Sequence, residues 1–179
     1  MEIIEFNEVY SEGVKDLLVE LQEYVVKIDK YKQNILSPLY REEYYAMLIK
    51  TLNENSGKMF LALENEKVVG LICGHLEIKE DEDHLVIKDT KRAVINELIV
   101  SQNIRSGGIG SKLMCKMEDY LKNLGAKFIL LDVFAYNETA KVFYKNKGYE
   151  ERMITLIKEI NNDWVNKTYS FFTIFRWHT

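Results

Sequence analysis

Apolar residues of the first segment fall at Val14, Leu17, Leu18, Leu21, Val25 and Ile28. Steps of three and four predict an amphipathic helix, with Ser11 where an N-cap belongs. Before it, IIEFNE alternates like a short strand. A second helix is expected over REEYYAMLIKTL, with Tyr44, Met47, Leu48 and Leu52 on one face. Pro38 separates the two helices and lies near a helix start, where a missing N–H is tolerated. The period then changes. KMFLALENEKVVGLICGHLEI reads as two strands around the polar turn Glu64-Asn65-Glu66-Lys67, an antiparallel hairpin. The acidic stretch KEDEDH is expected to be a solvated loop, and AVINELIV, apolar and β-branched, a strand. From Ile109 the period is helical again through Leu113, Met117, Tyr120, Leu121 and Leu124, closed by Gly125 as a C-cap. KFILLDVFA suits a buried strand, and NETAKVFYKNKG a compact helix from Asn137 to Gly148. YEERMITLIKEI and TYSFFTIFRWHT are expected as two final strands around NNDWVNK.

The order β-α-α-β-β-β-α-β-α-β-β contains one βαβ unit among hairpin-linked strands. It predicts an α/β fold, a mixed seven-stranded sheet flanked by about four helices. The length, the lack of a linker-like stretch and the lack of repeats favour one domain over 1–179.

Hydrophobic residues at 47% and charged residues at 29% exclude a disordered chain. A net charge of −4 argues against nucleic acid, whose phosphates need a basic surface. MEIIEFNEVY lacks the features of a signal peptide, and no apolar run reaches the roughly 20 residues of a membrane span. A cytoplasmic chain without a membrane partner is therefore expected. In it Cys73 and Cys115 would be reduced, buried thiols. His75-Leu-Glu77 has no Pro-Cys-x-x-Cys after it, and His84 and His178 show no ligand spacing, so no metal is expected.

Candidate chemistry concentrates where the strand 93–100 gives way to SQNIRSGGIGSKLM. A strand running into a glycine-rich turn and then a helix suits an anion, because the first helical N–H groups lack partners. The dinucleotide fingerprint fails, because Leu113 stands where its third glycine belongs. The nucleotide triphosphate loop fails too, because Gly110 is followed by Ser111-Lys112 and has no glycine five positions before it. What remains, Arg105-Ser-Gly-Gly108-Ile-Gly110, resembles the Arg/Gln-x-x-Gly-x-Gly/Ala pyrophosphate loop of the GNAT superfamily of acyl-CoA N-acyltransferases. Downstream, FAYNETAKVFYKNKGYE is similar to that family's second signature, in Asn137, Ala140, Phe143-Tyr144 and Gly148-Tyr149.

The resemblance implies an enzyme that transfers an acetyl group from acetyl-CoA, its cosubstrate, to a primary amine by direct attack in a ternary complex. The rival readings are an inactive acyl-CoA-binding sensor or structural subunit of the same fold, and a different enzyme class that uses the loop for another phosphate cofactor. By the resemblance, Arg105, Ser106, Gly107, Gly108, Ile109 and Gly110 take the diphosphate. The strand end Leu98, Ile99, Val100 pairs with pantetheine, and Asn137 bonds the same arm. A backbone N–H near Ile99 or Val100 serves the oxyanion, and the Tyr144 phenol faces the sulfur as general acid. Glu97 is the candidate base. Alternation puts Ile95, Glu97 and Ile99 on one face, where a carboxylate among isoleucines would be desolvated. Residues 29–55 are expected to line the acceptor, a small-molecule or protein amine. The aromatic tail is core, a homodimer interface or a substrate wall.

Overall fold

The computed structural model describes residues 1–78, 83–104 and 107–160, with Asp83 and His84 described for their backbone alone. The chain divides into two compact units, Met1–Lys141 and Val142–Thr179, and each is taken by itself.

The first unit is built on five strands in the order β1-β2-β3-β4-β5: β1 Glu2–Glu5, β2 Lys58–Glu64, β3 Lys67–Leu76, β4 Arg92–Val100 and β5 Phe128–Leu130. The first three pairings are antiparallel and β4 with β5 is parallel. A parallel pair needs a crossover, and the helix α4, Ile109–Asn123, supplies it. The hairpin turn sits where the sequence put it. Asn65 and Glu66 both take positive φ (50° and 62°), the two-residue geometry whose twist matches the flanking strands.

Helices α1, Ser11–Ile28, and α2, Tyr40–Glu54, cover one face of the sheet. Val14, Leu17 and Leu18 of α1 and Leu48 and Leu52 of α2 pack against Met59, Leu61, Leu71, Cys73 and Ile99. The opposite face is closed by α4, whose Leu113, Met114, Met117 and Leu121 are fully buried. Leu113→Ala should therefore cost about 2–5 kcal/mol, read as a lower urea midpoint with an unchanged slope. Gly125 (φ 88°) ends α4 with Ala126 N–H donating to the Leu121 carbonyl and Gly125 N–H to that of Lys122. That is a Schellman C-terminus at the expected residue.

Several expectations are corrected. Ser11 is the first residue of α1 rather than its cap. Asn7 instead accepts from Val9 N–H at a preceding 3₁₀ turn, Glu8–Tyr10. Met47 is exposed, since the buried stripe of α2 runs through Tyr44, Leu48 and Leu52 and leaves position 47 on its edge. Cys73 is buried, but Cys115 is exposed, lying off the α4 stripe of residues 113, 114, 117 and 121. The loop KEDEDH ends in one helical turn, α3, Asp83–Val86.

The helix α5, Glu138–Asn146, begins in the first unit and continues into the second. The strand expected over 149–160 is absent: residues 151–160 carry no regular structure and are exposed throughout. A strand needs a ladder partner, and the one the sequence offered, 168–179, lies outside the described residues. The sheet described therefore has five strands, with the α/β class unchanged. Among the described residues no helix is long and apolar enough to cross a membrane, and no group of three metal-ligating side chains occurs.

Candidate active site

The site begins with an irregularity in β4. Cys73 of β3 faces Glu97 and Gly74 faces Ile95, so Asn96 is an extra residue without a partner across the ladder. Such a bulge breaks the two-residue alternation. Ile95, opposite Gly74, belongs to the α4 face, where a Cβ on Gly74 would lie 3.4 Å from Met117 Sδ. Glu97 and Ile99 pair with Cys73 and Leu71, in the face covered by α1 and α2. The expectation that Ile95, Glu97 and Ile99 share a face is thus wrong at Ile95, because periodicity cannot register an inserted residue.

On that face Glu97 is largely enclosed, and its Oε1 accepts a hydrogen bond from the Tyr44 hydroxyl of α2. Burial pushes the carboxyl up to about 7, while the Tyr44 bond pulls the other way. Tyr40 stacks on Tyr44, with centroids 4.8 Å apart and planes at 11°. Asn96 Nδ2 lies 3.3 Å from His75 Nε2, and His75 Nδ1 lies 2.6 Å from the Leu76 carbonyl. The second contact puts the ring proton on Nδ1, so Asn96 donates to Nε2. Asn96 Oδ1 is buried without a hydrogen-bond partner.

Beside Glu97 the sheet opens. β5 pairs with β4 only at Arg92, Ala93 and Val94. From Ile95 to Ile99 no described strand lies along that edge, so a peptide-like chain can run there. The strand ends in Val100, and Ser101 and Gln102 are tied to α1 by the Glu20 carboxylate, at 3.2 Å from Ser101 Oγ and 2.8 Å from Gln102 N. The chain then reaches the glycine turn. Gly108 takes φ 68° and ψ 14° as the residue before α4, with no side chain capping that helix end. A Cβ on Gly108 would meet no protein atom within 4 Å, so packing does not require the missing side chain. The backbone conformation and open approach to the helical N–H groups do, which is the cradle a diphosphate fits. Arg105 and Ser106 lie outside the described residues. Leu98, Ile99, Val100, Gly107, Gly108, Ile109 and Gly110 occupy the strand end, the turn and the first helical residues, in the expected order.

Asn137 caps α5: its Oδ1 accepts from Ala140 N–H at 3.2 Å and from the Tyr24 hydroxyl of α1 at 3.3 Å. Both bonds use the oxygen, so the Nδ2 donor faces neither of them. Tyr144 lies in the second unit. Gly148 (φ 87°) closes α5 by a Schellman turn, with Tyr149 N–H donating to the Tyr144 carbonyl and Gly148 N–H to that of Lys145. This turn brings the Tyr149 ring to 5.8 Å from the Tyr144 ring, which also meets Phe143 edge-on at 5.4 Å. Asp29 organises the loop after α1, in the stretch expected to line the acceptor. Its carboxylate accepts from Asn34 Nδ2 and from the N–H groups of Tyr31, Gln33 and Asn34, at 2.7 to 3.0 Å. These bonds, the Asn34 amide first, lower its pKa to about 2.

Sequence reasoning missed Tyr24, and placed Asp29 and Tyr44 only within the 29–55 stretch, with no role of their own. Tyr44 was singled out by number only as a core-facing position, although two tyrosines four apart on a helix were a usable signal of an aromatic pair.

The model of the Acetyltransferase (GNAT) family matches residues 22–149, and the chain belongs to that family. It is 28% identical to N-alpha-acetyltransferase 30 of Schizosaccharomyces pombe, over 71% of this chain and 78% of that protein. It is 26% identical to the IAA acetyltransferase of Azospirillum brasilense, over 74% and 80%. A solved variant of the BH1408 protein from Bacillus halodurans shares the fold, with TM-score 0.75 at 23% identity, covering 90% of this chain and all of that one.

Proposed function

We propose that this chain transfers an acetyl group from acetyl-CoA to a primary amine, by direct attack within a ternary complex. One observation carries the reading: an enclosed carboxylate, Glu97, on the strand that loses its neighbour and then runs into the glycine turn of α4. A fold neighbour, the aminoglycoside N-acetyltransferase AAC(6')-Iy, was solved in complex with CoA, at TM-score 0.62 and 14% identity. The names of the sequence relatives are those of acetyltransferases too.

Bound acetyl-CoA supplies an activated acetyl thioester. The residues of this chain divide the remaining work. N–H groups of Gly107 to Gly110 take the diphosphate, with Arg105 and Ser106 completing the motif. The edge of Leu98 to Val100 holds the pantetheine arm, and an N–H there donates to the carbonyl oxygen as charge builds on it. An alkylamine resembles lysine, with a pKa about 10.4, and must lose a proton to attack. Glu97, raised to about 7, is half ionised at pH 7 and a stronger base than an ordinary carboxylate, and it takes that proton. As the C–N bond forms and the C–S bond breaks, Tyr144 gives its phenol proton to the leaving sulfur and regains one from solvent as the nitrogen releases its second.

The test is calorimetric titration with acetyl-CoA, with NADH and ATP as controls, followed by an amine library scored by release of the CoA thiol. Saturable binding of acetyl-CoA alone, with thiol release for some amine, supports the proposal. Absence of acetyl-CoA binding by the folded protein removes it. Asn137 separates two roles. Asn137→Asp keeps the cap acceptor and loses the amide donor, so KM for acetyl-CoA should rise severalfold with the melting temperature held. Asn137→Ala should also lose about 1 kcal/mol of stability. Equal KM in Asn137→Asp and the parent would remove Asn137 from the coenzyme site.

A further inference from the structure

We infer that Tyr44 is the positioning residue of the base: its phenol holds one oxygen of Glu97 and leaves the other, Oε2, for the proton of the amine. This rests on the reading of Glu97 above.

The argument is geometric. Glu97 reaches the α1–α2 face only because the extra residue Asn96 shifts the register of β4. There it meets α2 at Tyr44, and the hydroxyl donates to Oε1. Tyr44 is itself fixed. It packs against the core beneath α1 and α2, and the Tyr40 ring one turn earlier lies nearly parallel to it at 4.8 Å. A stacked, half-buried ring holds its hydroxyl in place, so the carboxylate is oriented from outside its own strand.

The donor is also constant. Burial, and then the neighbouring Glu97 charge, push the Tyr44 phenol far above its usual range, so it stays protonated wherever the protein is folded. Tyr44 therefore donates at every working pH and takes no proton. The other groups around Glu97 do not do this work. Tyr40 of α2 has its phenol pushed up by burial, and Cys73, directly across on β3, has its thiol held well above the usual value. His75 of β3 is engaged with Asn96, and Glu20 of α1 is engaged with Ser101 and Gln102. The hydroxyl of Tyr44 thus opposes burial and keeps Glu97 ionisable near neutral pH.

Glutamate labelled with ¹³C at the side-chain carboxyl gives a direct reading, with the Glu97 resonance assigned by its loss in Glu97→Gln. Tyr44→Phe keeps the ring and the stack while removing the donor, and near-ultraviolet circular dichroism checks its packing. Its Glu97 titration should move up by roughly one to two pH units, the weight of a hydrogen bond to a charged group. The first unit lowers the ionised fraction at pH 7 roughly fivefold and the second roughly ninefold more. The kcat/KM, measured with acetyl-CoA and an amine accepted in the screen, should fall accordingly at pH 7 and recover toward pH 9. Tyr40→Phe retains Tyr44 and should leave the carboxyl titration where it is. An unmoved titration in Tyr44→Phe overturns the assignment. A titration that moves while the pH–rate limb stays fixed overturns Glu97 as the base, with the contact to Tyr44 intact, so the two failures are told apart.

Discussion

Glu97→Gln should lower kcat by about 10²- to 10⁴-fold at pH 8, the usual contribution of a positioned general base, with acetyl-CoA binding little changed. The same substitution should make the protein more stable at that pH. Burial lifts the folded pKa of Glu97 from the ordinary 4.5 to about 7. Between those values the folded state holds a proton that the unfolded state has lost. Stability is therefore full below about pH 4.5, falls as pH rises through 7, and levels off above. The loss is on the order of 3 kcal/mol, at about 1.4 kcal/mol for each pH unit separating the folded and unfolded pKa values. Glutamine is neutral throughout, so the slope disappears and the variant gains on the parent at pH 8. An amide N–H left without an acceptor would take back about 1–3 kcal/mol of this. Urea midpoints at pH 4.5 and 8 measure the difference. A gap between parent and variant that is the same at both pH values would show that the carboxyl is not displaced by burial. Retained turnover would show that it is not the base.

Activity and instability then share one cause. A carboxylate basic enough for an ammonium near neutral pH must be withdrawn from water, and the fold bears that cost in its ionised state. The bulge at Asn96 is the device that withdraws it, by moving Glu97 onto the face that α1 and α2 cover. A regular strand continuing from the Gly74–Ile95 pair would have left it opposite Ile72, on the side of α4.

This is also where the sequence stops being legible. Helix α1, the hairpin turn at Asn65-Glu66, the strand into the glycine turn and the closures of α4 and α5 at Gly125 and Gly148 are local features. Residue spacing and the special φ values of a few positions determine them, and the chain shows both. A bulge belongs to a pair of strands. Nothing in AVINELIV tells that two of its residues will face one residue of β3, and two-residue alternation placed Ile95 with Glu97. The same holds for Tyr44, 53 positions from its partner in the chain. Its helical spacing predicted an inward direction and was right; only the register of β4 says what it meets there. The glycine turn was readable for the opposite reason, since the positive φ of Gly108 before α4 is a local demand that the residue type itself shows.

Gly108→Glu should abolish acetyl-CoA binding, with Kd rising at least about 100-fold, while the fold persists. The apo protein tolerates the change in space, because a Cβ at this position touches nothing within 4 Å. It resists in conformation, because φ 68° disfavours a side chain by about 1–3 kcal/mol. The carboxylate returns about 0.3–1 kcal/mol by standing at the positive end of α4. The net loss of stability is at most about 2.7 kcal/mol, and the free protein should melt lower by up to roughly 10 °C. With coenzyme present the balance reverses. The new carboxylate occupies the cradle of the diphosphate, and two like charges about 4 Å apart near a protein surface repel by up to about 4 kcal/mol. A factor of 100 in Kd needs about 2.7 kcal/mol. Gly108→Ala carries the same backbone strain without the charge, so calorimetry on the pair separates the two terms. Weak but measurable binding in Gly108→Ala beside none in Gly108→Glu places a diphosphate at the turn. Undiminished binding in Gly108→Glu would put the coenzyme elsewhere, and the glycines would then serve only the turn from β4 into α4.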